Sequence, residues 1–194
     1  MKTIQILVSL FIIATMFSCK HKKECPAFKE SDLTHVTYSE YDTLKFVNQQ
    51  SEEYYIYLQN FILSDAFEDE CVDLYGICPC INYVEVMAKN STSMSPYVFL
   101  RMEQSDVSDM RYFKYKVQDF DFEIDFDNEV QYVDDFPYMD LLDTITIQNT
   151  LYHNVIVYSN LENANSDVFK VYLNKANGII RIHEKDNTIW DKLN

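Results

Sequence analysis

The chain has 194 residues, 47% of them hydrophobic and 15% aromatic, with 31 acidic residues against 16 basic ones. That aromatic content excludes a disordered tail, which cannot bury enough apolar surface to offset its ordering entropy. The formal charge of -15 disfavours nucleic acid, whose phosphates are held by Lys and Arg, and the length fits one compact domain.

Residues 1–18 read as a signal peptide. Lys2 supplies the positive start, an apolar stretch runs from Ile4 to Phe17, and Ser18 is the small residue before cleavage. The stretch is shorter than the roughly 18 apolar residues of a membrane helix. The run Met16-Phe17-Ser18-Cys19 resembles a bacterial lipobox, and this resemblance implies acylation of Cys19, typically with palmitate. It departs from the commonest pattern, which has Leu three residues before the cysteine. Two or more acyl chains anchor a protein stably. Residues 19–24 follow as the lipidated cysteine and a basic tether, Lys20-His21-Lys22-Lys23-Glu24, which spans at most about 18 Å. Lys20 is not an aspartate of the inner-membrane retention type, so the expected location is the outer membrane, on its periplasmic or its surface side. A soluble secreted protein is the alternative. Residues 25–194 form the single β-rich domain.

With Cys19 assigned to lipid, four cysteines remain: Cys25, Cys71, Cys78 and Cys80. An even number in an exported chain reads as two disulfides. The Cys78-Pro79-Cys80 spacing makes a bond between Cys78 and Cys80 awkward, so Cys25 is expected to pair with one of them and Cys71 with the other. A soft-metal site is the competing reading of Cys-x-Cys, but no nearby His completes a zinc pattern, and no metal or cofactor is expected.

Further along, short apolar–polar alternation rich in Tyr, Phe, Val and Ile predicts strands. These fall at residues 42–48 and 53–63, with Tyr55, Tyr57, Gln59 and Phe61 on one side. Residues 64–76 change period: Phe67, Cys71, Leu74 and Tyr75 have helical spacing, Ser64 suits an N-cap and Gly76 a C-cap, so a short helix is expected. Strands resume at residues 81–88 and 96–102. Residues 105–115 suit either helix or strand. Asp119, Asp121, Glu123, Asp125 and Asp127 alternate with apolar residues, so a strand there has one acidic and one apolar face. A loop is expected at residues 134–140, then strands at 143–148 and 152–159. A closing meander has strands at 168–173, 179–183 and 189–193, with turns at Asn177-Gly178 and Asp186-Asn187. The sum is a mainly β fold of about ten antiparallel strands with one or two short helices: a sandwich, an open barrel or a strongly curved sheet.

Three features carry chemistry. The five carboxylates from Asp119 to Asp127 suit Ca²⁺, a basic protein partner, or simply solvent outside a sheet, though they do not follow an EF-hand. Asp42-Thr43-Leu44 and Asp143-Thr144-Ile145 resemble Asp-Ser/Thr-aliphatic O-glycosylation sites, at Thr43 and Thr144. The 13 Phe and 15 Tyr allow a curved sheet to enclose an apolar ligand such as an acyl chain, or to pack an aromatic core. Catalysis has no motif behind it. His21 lies in the tether, and His35, His153 and His183 are isolated from any nucleophile at a motif spacing.

Phe17-Ser18-Cys19, the cysteine-bearing segment from Cys71 to Cys80, and Val171-Tyr172-Leu173 followed by Gly178-Ile179-Ile180-Arg181-Ile182 together resemble the small lipoproteins of the Bacteroidota. That resemblance implies a location rather than an activity. The expected function is a membrane-anchored, non-enzymatic interaction or accessory module of the cell envelope, with a carrier of a hydrophobic ligand as the alternative.

Overall fold

A strand whose residues alternate apolar and polar can bury only one face, so a chain built of such strands must cover that face, either with a second layer or by bending one sheet until its apolar side closes on itself. The computed structural model shows that outcome. It describes residues 33, 36–64, 67–68, 80–93, 95–105, 111–125, 139–160 and 166–193. Within them run twelve strands: β1 Thr43–Val47, β2 Glu53–Leu63, β3 Phe67–Glu68, β4 Cys80–Asn90, β5 Tyr97–Ser105, β6 Arg111–Val117, β7 Phe120–Asp125, β8 Met139–Ile147, β9 Thr150–Ser159, β10 Val168–Asn174, β11 Gly178–Glu184 and β12 Ile189–Lys192.

Eleven strands form one antiparallel path, in the order β7-β6-β5-β4-β2-β1-β12-β11-β10-β9-β8, with β3 beside the start of β4. The sheet curls into a half-barrel. The mainly β, antiparallel expectation is thus met, as a strongly curved single sheet. The join of β1 to β12 brings the two halves of the chain side by side, with Phe46 opposite Lys192 and Val47 opposite Asp191.

Irregular register bends the sheet. In β2 an extra residue lies between Leu58 and Phe61, and in β5 one lies between Val98 and Leu100, so Phe99 and Leu100 are both fully buried. In β11 Ile180 is the extra residue opposite β10. Since the chain has only two glycines, left-handed turn positions fall to other residues, including Ser51, Gln118, Gln148, Asn149 and Asn187. Gly178 is left-handed as well, at φ +68°.

Three expectations are corrected. Phe67 and Glu68 are not helical but pair with Ile81 and Cys80, and the described residues contain no α-helix; the rest of the expected helix at residues 64–76 lies, apart from Ser64, outside them. Phe61 does not share a side with Tyr55, Tyr57 and Gln59, because the extra residue in β2 turns it onto the core. Met139 and Asp140 are strand rather than loop, since Met139 is buried opposite Tyr158. The ambiguous stretch resolves as strand where described: β5 runs to Ser105 and β6 starts at Arg111. The signal segment, Cys19 and the tether lie outside the described residues.

The concave side holds the main core, and the segment leading into β1 enters it. Val36 and Tyr38 are buried there, and the Tyr38 hydroxyl accepts a hydrogen bond from the Ile179 backbone N–H at 2.8 Å while its ring meets Phe99 edge-on at 5.3 Å. Tyr38 thereby spans from β11 to β5. Phe99 continues to Tyr115 at 6.2 Å, Tyr115 to Phe122 at 5.4 Å, and Phe122 to Tyr158 at 4.6 Å. The Tyr158 hydroxyl donates to the Glu123 carbonyl at 3.0 Å, which ties β7 to β9 across the open side. A smaller cluster of Ile147, Tyr152, Val155 and Ile180 packs separately.

Candidate functional site

The acidic strand forms as its alternation implies. Phe120, Phe122 and Ile124 are buried, whereas Asp119, Asp121 and Glu123 are exposed. Asp119 sits in the turn before β7, and the Asp125 backbone pairs with Tyr112. Asp127 lies outside the described residues. What the sequence pattern hid is the neighbouring strand. Lys116 stands opposite Asp121 and Lys114 opposite Glu123, with Nζ–O distances of 3.5 and 3.8 Å. Lys114 also reaches Glu103 at 3.0 Å, Arg101 reaches Glu103 at 3.0 Å and Glu85 at 3.7 Å, and the Arg101 guanidinium lies 3.9 Å from the Tyr83 ring centroid. The convex face of β4 to β7 is therefore a ladder of alternating charge. Charged side chains on an edge strand also discourage pairing with another sheet. Among the described residues no three His, Cys, Asp or Glu side chains gather as a metal site.

The remaining candidates are dispersed. Thr43 opens β1 and Thr144 lies in β8, both exposed. Cys80 is disulfide-bonded, while Cys25, Cys71 and Cys78 lie outside the described residues. His153 is exposed on β9; His183, on β11, packs edge-on against Phe169 at 5.7 Å. Partial burial, with Lys170 and Arg181 nearby, holds the His183 pKa below its usual value.

A second constellation lies inside one end of the half-barrel, where β2 and β12 begin and β4 and β11 finish. Register alone places it. Tyr97 faces Ala88, two residues from Asn90; Asn90 faces Ile56, two from Tyr54; Tyr54 faces Phe46, two from Asn48. Trp190 faces the buried Ile182, two residues from Glu184. Tyr97, Asn90, Tyr54, Asn48, Trp190 and Glu184 thus form an oblique row across six adjacent strands, as expected where strands tilt to the barrel axis. Gln118, in the β6–β7 turn, donates its amide to the Glu184 carboxylate at 3.1 Å and closes the row into a collar.

The collar is unevenly satisfied: Asn90 Oδ1 accepts from Thr92 and Ser93, and Asn48 caps the turn before β2. Among the described residues no hydrogen bond of ordinary geometry reaches the buried Tyr54 and Tyr97 hydroxyls or the Trp190 indole N–H, although the Asn90 side chain lies near both hydroxyls and Gln118 near that of Tyr54. Each such group costs about 1–3 kcal/mol when left unpaired. The Tyr54 and Trp190 rings touch, with centroids 5.6 Å apart. Burial pushes the Tyr54 pKa up to about 12; the Asn90 and Gln118 side chains lower it somewhat and the Glu184 charge raises it. The Tyr97 pKa is raised chiefly by burial, with Tyr54 adding to it. Trp190 is conspicuous in the sequence only as the single tryptophan. The others lie at no motif spacing, and their one sequence signal is that each sits at or near a strand end.

The described residues form a mainly β, antiparallel half-barrel. No family model, curated protein or solved structure matches the chain.

Proposed function

We propose that this chain is a lipid-anchored protein of the cell envelope, held at the outer membrane through an acylated Cys19 and acting as a non-enzymatic interaction or accessory module. The observation that carries the reading is the filling of the concave side. Rings in contact from Tyr38 through Phe99, Tyr115 and Phe122 to Tyr158 occupy the interior that a carrier would keep for an acyl chain, so recognition is left to the surface and the rims. Two features support it. Cys80 is disulfide-bonded, a state that persists in oxidising compartments such as the bacterial envelope. The charge of -15 favours a basic protein partner over an anionic one. Such a partner meets Asp119 in the turn before β7 and Asp121 and Glu123 on that edge strand, and competes there with Lys114 and Lys116, which makes the contact weak and salt-sensitive.

The test is metabolic labelling with palmitate followed by intact-mass measurement, on the wild type and on Cys19→Ala. The expected result is an acylated mass in the membrane fraction for the wild type alone. The same unacylated mass for both proteins removes the reading.

A further inference from the structure

We propose that the outer face of β2, with the turn laid against it, rests on the zwitterionic headgroup surface of the membrane and so orients the domain. The inference rests on the lipid-anchored reading above. Six large apolar side chains are exposed among the described residues, and four of them, Tyr41, Tyr57, Ile62 and Leu63, belong to β2 or to the turn at residues 39–42. The turn is fastened to the strand: the Tyr41 N–H donates to the Gln59 carbonyl at 3.3 Å and the Phe61 N–H to the Glu40 carboxylate at 2.9 Å. Tyr41 is 72% exposed at φ +64°, a backbone conformation uncommon for a bulky residue. Ile56 and Leu58 face the core, so Tyr55 and Tyr57 beside them stand outside, their rings nearly parallel and 5.8 Å apart. The exposed tyrosines, Ile62 and Leu63 thus follow one strand along its length rather than lying scattered.

Charge selects the occupant. Among the eleven residues of β2 only Glu53 is charged, in a chain with 24% charged residues and a formal charge of -15. The acids bordering the patch are engaged: Glu53 by Lys45, Asp42 by the Ser39 N–H at 2.8 Å, Glu40 by the Phe61 N–H, and Glu85 by Arg101 at 3.7 Å. Lys45 and Lys89 flank the two rings, opposite Tyr55 and Tyr57. The acids of β7 lie beyond three intervening strands. An acidic domain held at a bilayer turns its acids away and its neutral face towards the lipid. Tyrosine suits the headgroup layer, where its ring meets apolar matter and its hydroxyl stays wet. Tyr41 follows Cys19 by about 22 residues, at most about 80 Å of chain, so the anchor keeps the patch at high effective concentration over the bilayer and a weak contact suffices.

The full chain is reconstituted in phosphatidylcholine vesicles doped with a phosphatidylcholine that carries a photoactivatable diazirine on its headgroup, and the residues labelled on irradiation are identified by mass spectrometry. The expected labels fall on Tyr41, Tyr57, Ile62 and Leu63. Leu141 on β8 and Leu151 on β9, which are 42% and 55% exposed, serve as matched controls and take up little. Leu63→Ser lowers the labelling of Tyr57 about fivefold, whereas Leu151→Ser leaves it unchanged. Both positions are exposed, and equal urea midpoints show that both variants are folded. Labels spread evenly over the six side chains, labels confined to β8 and β9, or no label at all overturns the proposal. So does a dimer, found by sedimentation without lipid, that Leu63→Ser dissociates, since the patch then serves a second copy. The intact mass of the same sample reports on Cys19: an acylated chain with even labelling defeats the orientation and leaves the anchor, whereas an unacylated chain labelled at the patch defeats the anchor alone.

Discussion

Replacing Gly178 with alanine tests how the segment before β1 is seated in the half-barrel. Gly178 has φ +68°, and a Cβ added to it lies well inside van der Waals contact with the Tyr38 hydroxyl and ring. The left-handed conformation alone costs an alanine about 1–2 kcal/mol. Tyr38 must also shift. It then loses the bond from the buried Ile179 N–H, now 2.8 Å, at about 1–3 kcal/mol, and the edge contact with Phe99, at about 0.5–1.5 kcal/mol. The expected total is about 3–5 kcal/mol, or roughly a 10 °C fall in melting temperature for a domain of this size. Denaturant unfolding of Gly178→Ala, Tyr38→Leu and the double variant separates the contributions. In the Tyr38→Leu background the glycine substitution keeps only its backbone cost of about 1–2 kcal/mol, so a coupling of about 2–3 kcal/mol is expected. Equal costs in both backgrounds would refute the reasoning, because Tyr38 would not then be packed against Gly178.

The buried tyrosines make a second prediction. Burial raises the pKa of Tyr38, Tyr54, Tyr97 and Tyr115 above the ordinary value of 10.0. Because the folded protein holds these protons more tightly, stability is fully present below pH 10 and is lost as pH rises towards the folded values, by about 1.4 kcal/mol per pH unit for each tyrosine. Tyrosinate absorbance should therefore rise together with unfolding above pH 10; ionisation of these four in a still-folded protein would contradict the packing. Cys80→Ser, or reduction, should lower stability by about 2–4 kcal/mol, read as an earlier urea midpoint, and an unchanged midpoint would mean that the disulfide contributes nothing to the fold. Arg181 holds Asp191 with two contacts, at 2.5 and 3.0 Å, and the side chains are only 20% and 16% exposed. Arg181→Ala should cost about 1–3 kcal/mol, whereas Lys116→Ala, which frees the 69% exposed Asp121, should change stability by less than about 0.5 kcal/mol. Comparable losses for the two would remove the distinction that burial makes.

Local pattern was enough wherever one strand decides its own faces. The alternation from Asp119 to Ile124 put the acids outside and the apolar side chains inside, and the bounds Glu53–Leu63 of β2 were legible because eleven residues of β-type sequence end in polar turns. Pattern failed at Phe61, where the extra residue opposite β4 reverses the sides, since a bulge depends on the partner strand and leaves no mark in the strand that carries it. It failed also at Phe67, whose spacing suited a helix until pairing with Ile81 outweighed it. Local propensity is a weak preference that tertiary contacts override.

The sequence by itself determined the mainly β class and the acidic and aromatic character of the domain, and it raised the expectation of an exported, lipid-anchored chain, because composition and two-residue periodicity are properties of neighbours along the backbone. Only the tertiary structure decided that the acids of β7 face lysines on β6, that the aromatics meet one another from Tyr38 to Tyr158, and that Tyr54, Tyr97, Gln118, Glu184 and Trp190 share one rim. Residues as far apart as 46 and 192 become neighbours through the join of β1 to β12. Strand order and register fix which distant residues touch, and no local pattern encodes them.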